Sequence, residues 1–276
     1  MNLVQETRVF SDALNRLPLP AGVSHVYNPL AYMRRAHERY LERFVPCMYE
    51  QVAPRTILTT APSPRPYLIL GMNPGPWGMV QTGVPFGDVV TARSLLLYDT
   101  PPEPELERVK LHPNRPVLGL ASARREASGE RLWGGLSQVW AGGSVDVLRD
   151  AFAMNYCPLA YFAGDEQGTN VTPDAFAKSG PYRDREYAKA LDVLCSNYLK
   201  QIIEAMDTRV VLAVGRYAEF KARLVQAALR ASNTRPKLQV VYLTHPSPLV
   251  TRSAEQWAEM AQSTMKAAGV LPGRFS

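Results

Sequence analysis

Four short apolar runs constrain the fold more than any other feature of this chain. They are Tyr67-Leu-Ile-Leu70, Ala151–Met154, Arg209–Val214 and Leu238–Leu243. Each gives way at once, or one residue later, to glycine, asparagine or histidine, as a buried strand does where it leaves a sheet. Segments of helical periodicity separate them. Val4–Leu17 and Leu30–Phe44 precede the first run, and Asp88–Leu97 and Arg131–Val139 follow it. Tyr187, Leu191, Leu194, Tyr198, Ile202 and Met206 mark a long amphipathic helix over about 184–205, and Tyr217, Phe220, Leu224 and Ala228 mark the next. Ser253-Ala-Glu-Gln256 fits a capping box for a last helix that closes at Gly269. Strands alternating with helices predict an α/β fold of three layers, α/β/α, around a central, mainly parallel four-stranded sheet. With 276 residues the chain reads as one domain, carrying a helical N-terminal extension over about 1–50. Residues 98–130 are rich in proline and charge and lack periodicity, so a long loop is expected there.

In a parallel sheet all carboxyl ends share one edge, and ligands bind outside that edge. The segments beyond three of the runs are the most unusual in the chain. After Leu70 comes GMNPGPWGMVQTGVPFG, residues 71–87, a loop stiffened by proline and loosened by glycine that exposes its backbone amides. After Met154 comes Asn155-Tyr-Cys-Pro-Leu159, and after Leu243 comes Thr244-His-Pro-Ser-Pro248. The topology therefore predicts that Asn73, Asn155 and His245 meet at one cleft.

Composition narrows the partner. The formal charge of +6 favours a polyanion. Three scattered cysteines, Cys47, Cys157 and Cys195, form no CxxC pair, which suits a reducing compartment and cannot furnish a four-thiolate iron–sulfur cluster. The first residues lack a basic, apolar leader, and no run approaches ~20 apolar residues, so a soluble, cytoplasmic or otherwise intracellular protein is expected. Walker and Rossmann glycine patterns are absent, as is any metal-ligand spacing. No metal and no cofactor are expected.

Residues 71–87 resemble the first motif of the single-strand-selective monofunctional uracil-DNA glycosylases, which reads GMNPGPFGMAQTGVPFG. Met154-Asn-Tyr-Cys-Pro-Leu159 resembles the family's uracil-reading segment, and His245-Pro-Ser-Pro248 its histidine loop. Weaker similarity, including Arg115-Pro-Val-Leu-Gly-Leu120 and Gly215-Arg216, extends it over roughly nine-tenths of the chain. The resemblance implies a monofunctional DNA-repair hydrolase of the uracil-DNA glycosylase fold, acting as a monomer on uracil-containing DNA. It would cleave the N-glycosidic bond, release free base and leave an abasic site.

The same resemblance assigns roles. Asn73 stands where related glycosylases carry an aspartate, and would align the attacking water without deprotonating it. His245 would donate a hydrogen bond to uracil O2 as charge builds there. Asn155 offers a carbonyl to N3–H and an NH₂ to O4, a pattern cytosine cannot match unless the amide flips. Phe86 would stack on the extruded base. Gly75 would leave space beside C5, where tighter relatives carry tyrosine, admitting 5-hydroxymethyluracil or related oxidised pyrimidines. Met72 and Pro74 would complete the wall, and loop amides would help bind O2. In Ser247-Pro-Leu-Val-Thr-Arg252 the chain departs from vertebrate members, which have arginine after HPSP. Here Leu249 is expected as an apolar wedge, with Ser247 and Pro248 beside it and Arg252 on a phosphate or groove.

Plainer readings stand beside these. Asn73 also suits a turn that bonds its own backbone. Phe86 also suits the core, and a histidine or asparagine at a strand end can be structural. Asp88 and Asp165 read as helix-cap and loop residues, and a Cys157–His245 nucleophile pair is disfavoured because Cys157 sits in apolar company. Two further functions remain open: the same scaffold acting on hypoxanthine, xanthine or mismatched thymine, and a catalytically silent protein that binds damaged or single-stranded DNA.

Overall fold

The structure is a computed structural model that describes residues 2–44, 64–96, 103–140, 144–247 and 253–272. In chain order the elements are α1 (Leu3–Asn15), β1 (Val23–Tyr27), α2 (Pro29–Tyr32), α3 (Arg34–Glu42), β2 (Tyr67–Gly71), α4 (Met79–Thr82) and α5 (Val89–Leu96). They continue with α6 (Ala127–Val139), α7 (Ser144–Asp150), β3 (Ala151–Asn155), β4 (Ala160–Ala163), β5 (Asn170–Val171) and α8 (Arg185–Ala205). The last are β6 (Val210–Val214), α9 (Arg216–Ala231), β7 (Gln239–Leu243) and α10 (Ala254–Ala267).

The four apolar runs are the four strands of one sheet, ordered β3-β2-β6-β7 and parallel throughout. Side chains of β2, β3 and β6 are buried at every position, as expected of a sheet covered on both faces. α8 packs on α9 and α9 on β6 and β7, while α6 and α10 pair and α10 also touches β7, giving the α/β/α layering. The caps follow the sequence. Asp184 accepts from Tyr187 N–H at 3.0 Å to start α8, and Ser253 accepts from Gln256 N–H at 3.2 Å to start α10. Asp88 accepts from Thr91 N–H at 2.8 Å at the start of α5 and pairs with Arg125 at 3.0 Å.

Three features depart from expectation. A second, antiparallel sheet, ordered β1-β4-β5, lies apart from the main one. The helix expected over Leu30–Phe44 is two, broken at Met33, whose backbone (φ −103°, ψ 28°) leaves the helical region. Gly83 explains the break: a Cβ there would lie 2.7 Å from Met33 Cβ, so Met33 is wedged against the loop that follows β2. Finally, α6 begins a turn earlier than its apolar periodicity does; its first turn holds Ser128 and Gly129, poor helix formers that give no helical signal in the sequence.

The N-terminal helices brace the sheet. β3 is an edge strand, and Tyr40 closes its free side: its hydroxyl donates to Ala153 O at 2.8 Å and accepts from Ala153 N–H at 3.1 Å. Tyr32 donates to Val80 O at 2.7 Å, and His37 Nδ1 lies 2.7 Å from Gly83 O. All three tyrosine and histidine side chains are buried. Residues 2–44 therefore hold both β3 and the loop after β2 in place.

Candidate active site

β2 and β3 run in register to Gly71 opposite Asn155, and the pairing continues past both strands: Tyr156 N–H donates to Gly71 O and Cys157 N–H to Met72 O, each at 2.9 Å. The start of the glycine-rich loop is thereby fixed to the segment that carries Asn155. A Cβ on Gly71 would fall 3.0 Å from Phe86 Cε1, and closer still to Phe86 Cζ and to Asn155 Oδ1. Glycine at 71 is thus what lets the Asn155 amide and the Phe86 ring edge adjoin. Asn155 is buried, and its Nδ2 lies 3.3 Å from Met79 Sδ, a weak acceptor that leaves the amide available to a better one. Phe86 has φ 55°, a left-handed conformation that costs a non-glycine residue about 1–3 kcal/mol and concentrates at functional sites.

Asn73 is half-buried on the same loop. Its Nδ2 makes one long contact, 3.4 Å, with Pro74 O, and its carbonyl oxygen has no partner among the described residues. Pro74 is buried, whereas Met72 and Gly75 are partly exposed. His245 follows β7, two places along the sheet from β2, or ~10 Å at the usual strand spacing. It packs by Gly215, where a Cβ would lie 3.6 Å from His245 Cδ2. The residue is exposed, yet surrounding protein desolvates the ring enough to lower its pKa below the ordinary histidine value, favouring neutral imidazole. Ser247 is partly buried; Pro248, Leu249 and Arg252 lie outside the described residues.

The structure thus brings Asn155 and Phe86 together beside Gly71, sets Asn73 on the adjoining loop and puts His245 on the same sheet edge. A broad cleft of about 1540 Å³ lies elsewhere, between α1, β1 and residues 103–110, and contains none of these side chains. Cys157 is buried, 3.4 Å from Tyr161 Oη and 3.8 Å from Leu159 O, which is a packing environment.

One residue escaped the sequence reading. Glu126, from the aperiodic region before α6, turns its carboxyl onto the loop and accepts from Trp77 N–H at 3.2 Å and from Ser128 Oγ at 3.1 Å. The Trp77 amide is therefore taken internally. Burial raises the Glu126 pKa, partly offset by the hydrogen bonds from Trp77 and Ser128. The only hint in the sequence is a glutamate before Ser128-Gly129 at a helix start. Arg124 stacks on the Trp77 ring, its Cζ 4.3 Å from the centroid, and flanks the same loop.

Comparison with known proteins decides what this edge belongs to. The family model "Uracil DNA glycosylase superfamily" matches residues 59–267. The chain is 34% identical over 270 residues to the "Single-strand selective monofunctional uracil DNA glycosylase" of Mus musculus, covering 98% of this chain and 84% of that protein. The protein of that name from Bos taurus is 34% identical over 273 residues, with 98% and 86% covered. This chain belongs to that glycosylase family. It is a monofunctional uracil-DNA glycosylase, a hydrolase of N-glycosyl bonds that acts on DNA in base excision repair. The reading as a catalytically silent binder gives way to the enzyme. The fold agrees with the crystal structure of wild-type Pedobacter heparinus SMUG2, at TM-score 0.56 and 18% identity, covering 94% of this chain and 98% of that one. Among the described residues no helix is long and apolar enough to cross a membrane, and no group of three or more His, Cys, Asp or Glu is placed to hold a metal ion.

Proposed function

We propose that this glycosylase removes uracil, and pyrimidines oxidised at C5 such as 5-hydroxymethyluracil, from single- and double-stranded DNA, releasing free base and leaving an abasic site. The placing of the Asn155 amide and the Phe86 ring edge together beside bare Gly71 carries the reading, since it sets a hydrogen-bonding reader near a flat apolar surface. The extruded base stacks on Phe86 while Asn155 accepts from N3–H and donates to O4. Asn73 turns its unengaged carbonyl toward a water in line with C1′ of the sugar. An amide cannot deprotonate that water, but an oxocarbenium-like centre is reactive enough to capture it neutral. The absence of a general base costs about 10²–10⁴-fold against an aspartate-assisted reaction. His245, favoured as neutral imidazole because surrounding protein desolvates its ring, donates to O2 as the base departs with its electron pair.

Gly75 borders C5, with Met72 and Pro74 beside it in the wall. Leu249 enters the vacancy left by the base, flanked by Ser247 and Pro248, with Arg252 on the backbone. The enzyme works as a single-domain monomer without metal or cofactor.

The test is incubation with a uracil-containing oligonucleotide, then alkali and gel separation, for the natural chain and for Asn73→Ala. Cleavage at uracil by the natural chain and a loss of about 10² or more in the variant are expected. An Asn73→Ala enzyme that stays folded and excises at the natural rate refutes the water-positioning role. A panel of uracil, hypoxanthine, xanthine and mismatched thymine fixes the base. Leu249→Ala should slow excision from duplex more than from single strands, and equal effects refute the wedge.

A further inference from the structure

Glu126 is the N-cap residue of α6 by position, yet its side chain makes no capping bond to that helix. It reaches instead across the glycine-rich loop. A Cβ on Gly75 would lie 2.7 Å from Glu126 Oε1 and nearer still to Cδ and Oε2. A Cβ on Gly78 would lie 3.2 Å from Glu126 Cγ. The carboxyl group thus fills the space in which a side chain at position 75 would stand, and two glycines admit it. It is also held from two sides: Trp77 N–H donates to Oε2 and Ser128 Oγ to Oε1. A carboxylate has lone-pair sites beyond those two. The remaining acceptor capacity faces the flank of Gly75.

We propose that Glu126 is a specificity-determining residue, which accepts a hydrogen bond from a donor group carried on C5 of the target pyrimidine. This rests on the reading that Gly75 borders C5 of the bound base. A 5-hydroxymethyl group supplies an O–H to the waiting oxygen. The methyl of thymine supplies none and presses apolar surface against a carboxyl that surrounding protein already partly desolvates, which strands its lone pair. A 5-carboxyl group brings a second negative charge into the same place. The wall beside C5 therefore discriminates by hydrogen-bond polarity and charge, whereas a bulky side chain at position 75 would discriminate by exclusion.

The experiment is single-turnover release of uracil, 5-hydroxymethyluracil and 5-carboxyuracil from one oligonucleotide context by the natural chain and by Glu126→Gln. Glutamine keeps the shape, and its carbonyl still accepts from Trp77 while its NH₂ donates to Ser128. The expected result is uracil release within about 3-fold of natural, 5-hydroxymethyluracil down about 10-fold relative to uracil, and 5-carboxyuracil improved. A merely structural role would not produce that gain. Parallel losses on all three bases, or no change on any, overturn the proposal. If Glu126→Gln does not fold, the natural chain alone decides: it must release 5-hydroxymethyluracil at least about 10-fold faster than 5-carboxyuracil, and equal rates overturn the proposal. A natural chain that releases none of the bases refutes the proposed function itself.

Discussion

Gly129→Ala tests whether the base platform is held from behind. Gly129 lies in the first turn of α6, and a Cβ there would drive into the Phe86 carbonyl oxygen, with the carbonyl carbon 3.1 Å away. The colliding group is backbone, so no rotamer change relieves it. A carbon–oxygen contact relaxes near ~3.3 Å, so α6 or Phe86 must shift by roughly 1 Å. Phe86 already holds φ 55°, so it is the softer of the two. Overpacking of this kind costs about 1–3 kcal/mol, which in a chain of this size lowers Tm by roughly 2–5 °C. A displacement of that order at a reacting site costs about 10²-fold in rate. Differential scanning fluorimetry and single-turnover uracil release at 25 °C, where the variant stays folded, measure both. A variant of natural rate, at any Tm, refutes the claim that the Phe86 backbone sets the position of the base.

The other predictions concern the supports and the leaving base. Burial lowers the His37 pKa to about 4, partly opposed by its bond to Gly83 O, so folding resists its protonation. The stability this confers is complete above the ordinary value near 6.5 and is lost as pH falls towards 4, about 3 kcal/mol in all. Urea midpoints across that window should fall less steeply for His37→Gln than for the natural chain, and identical slopes refute the assignment. Tyr40→Phe strips both partners from Ala153 and should destabilise by about 1–3 kcal/mol in urea unfolding, and an unchanged midpoint shows that the edge of β3 needs no closure. His245→Ala should lower the single-turnover rate by about 10²–10³-fold with little change in affinity for abasic product; equal losses in both count against assistance to the departing base.

The main sheet was legible because three of its strands, β2, β3 and β6, are buried at every position and spell apolar runs, and in β7 only Gln239, at its exposed start, breaks the run that ends at Leu243. The shared edge followed from parallel topology alone. The antiparallel sheet was not legible: β5 is two residues long, and β4 follows so closely on Pro158 that it reads as part of the preceding loop. Asn155, Phe86 and His245 stood out through the motifs they occupy. Glu126 did not, because its significance lies in two distant glycines that lack the atoms to keep it out. Tyr32, His37 and Tyr40 lie within the stretch Leu30–Phe44 that reads as one helix, and no periodicity distinguishes a side chain that packs from one that bonds a distant carbonyl.

The braces supplied by residues 2–44 bear on how this enzyme can be shortened. The match to the superfamily model starts at residue 59, so a recombinant fragment trimmed to that boundary looks complete by that match alone, although the mammalian relatives align over 98% of the chain. It would keep every residue assigned to chemistry and lose the hydroxyls and imidazole that hold Ala153, Val80 and Gly83. Such a fragment would carry the reagents of the reaction on a frame without its rear wall.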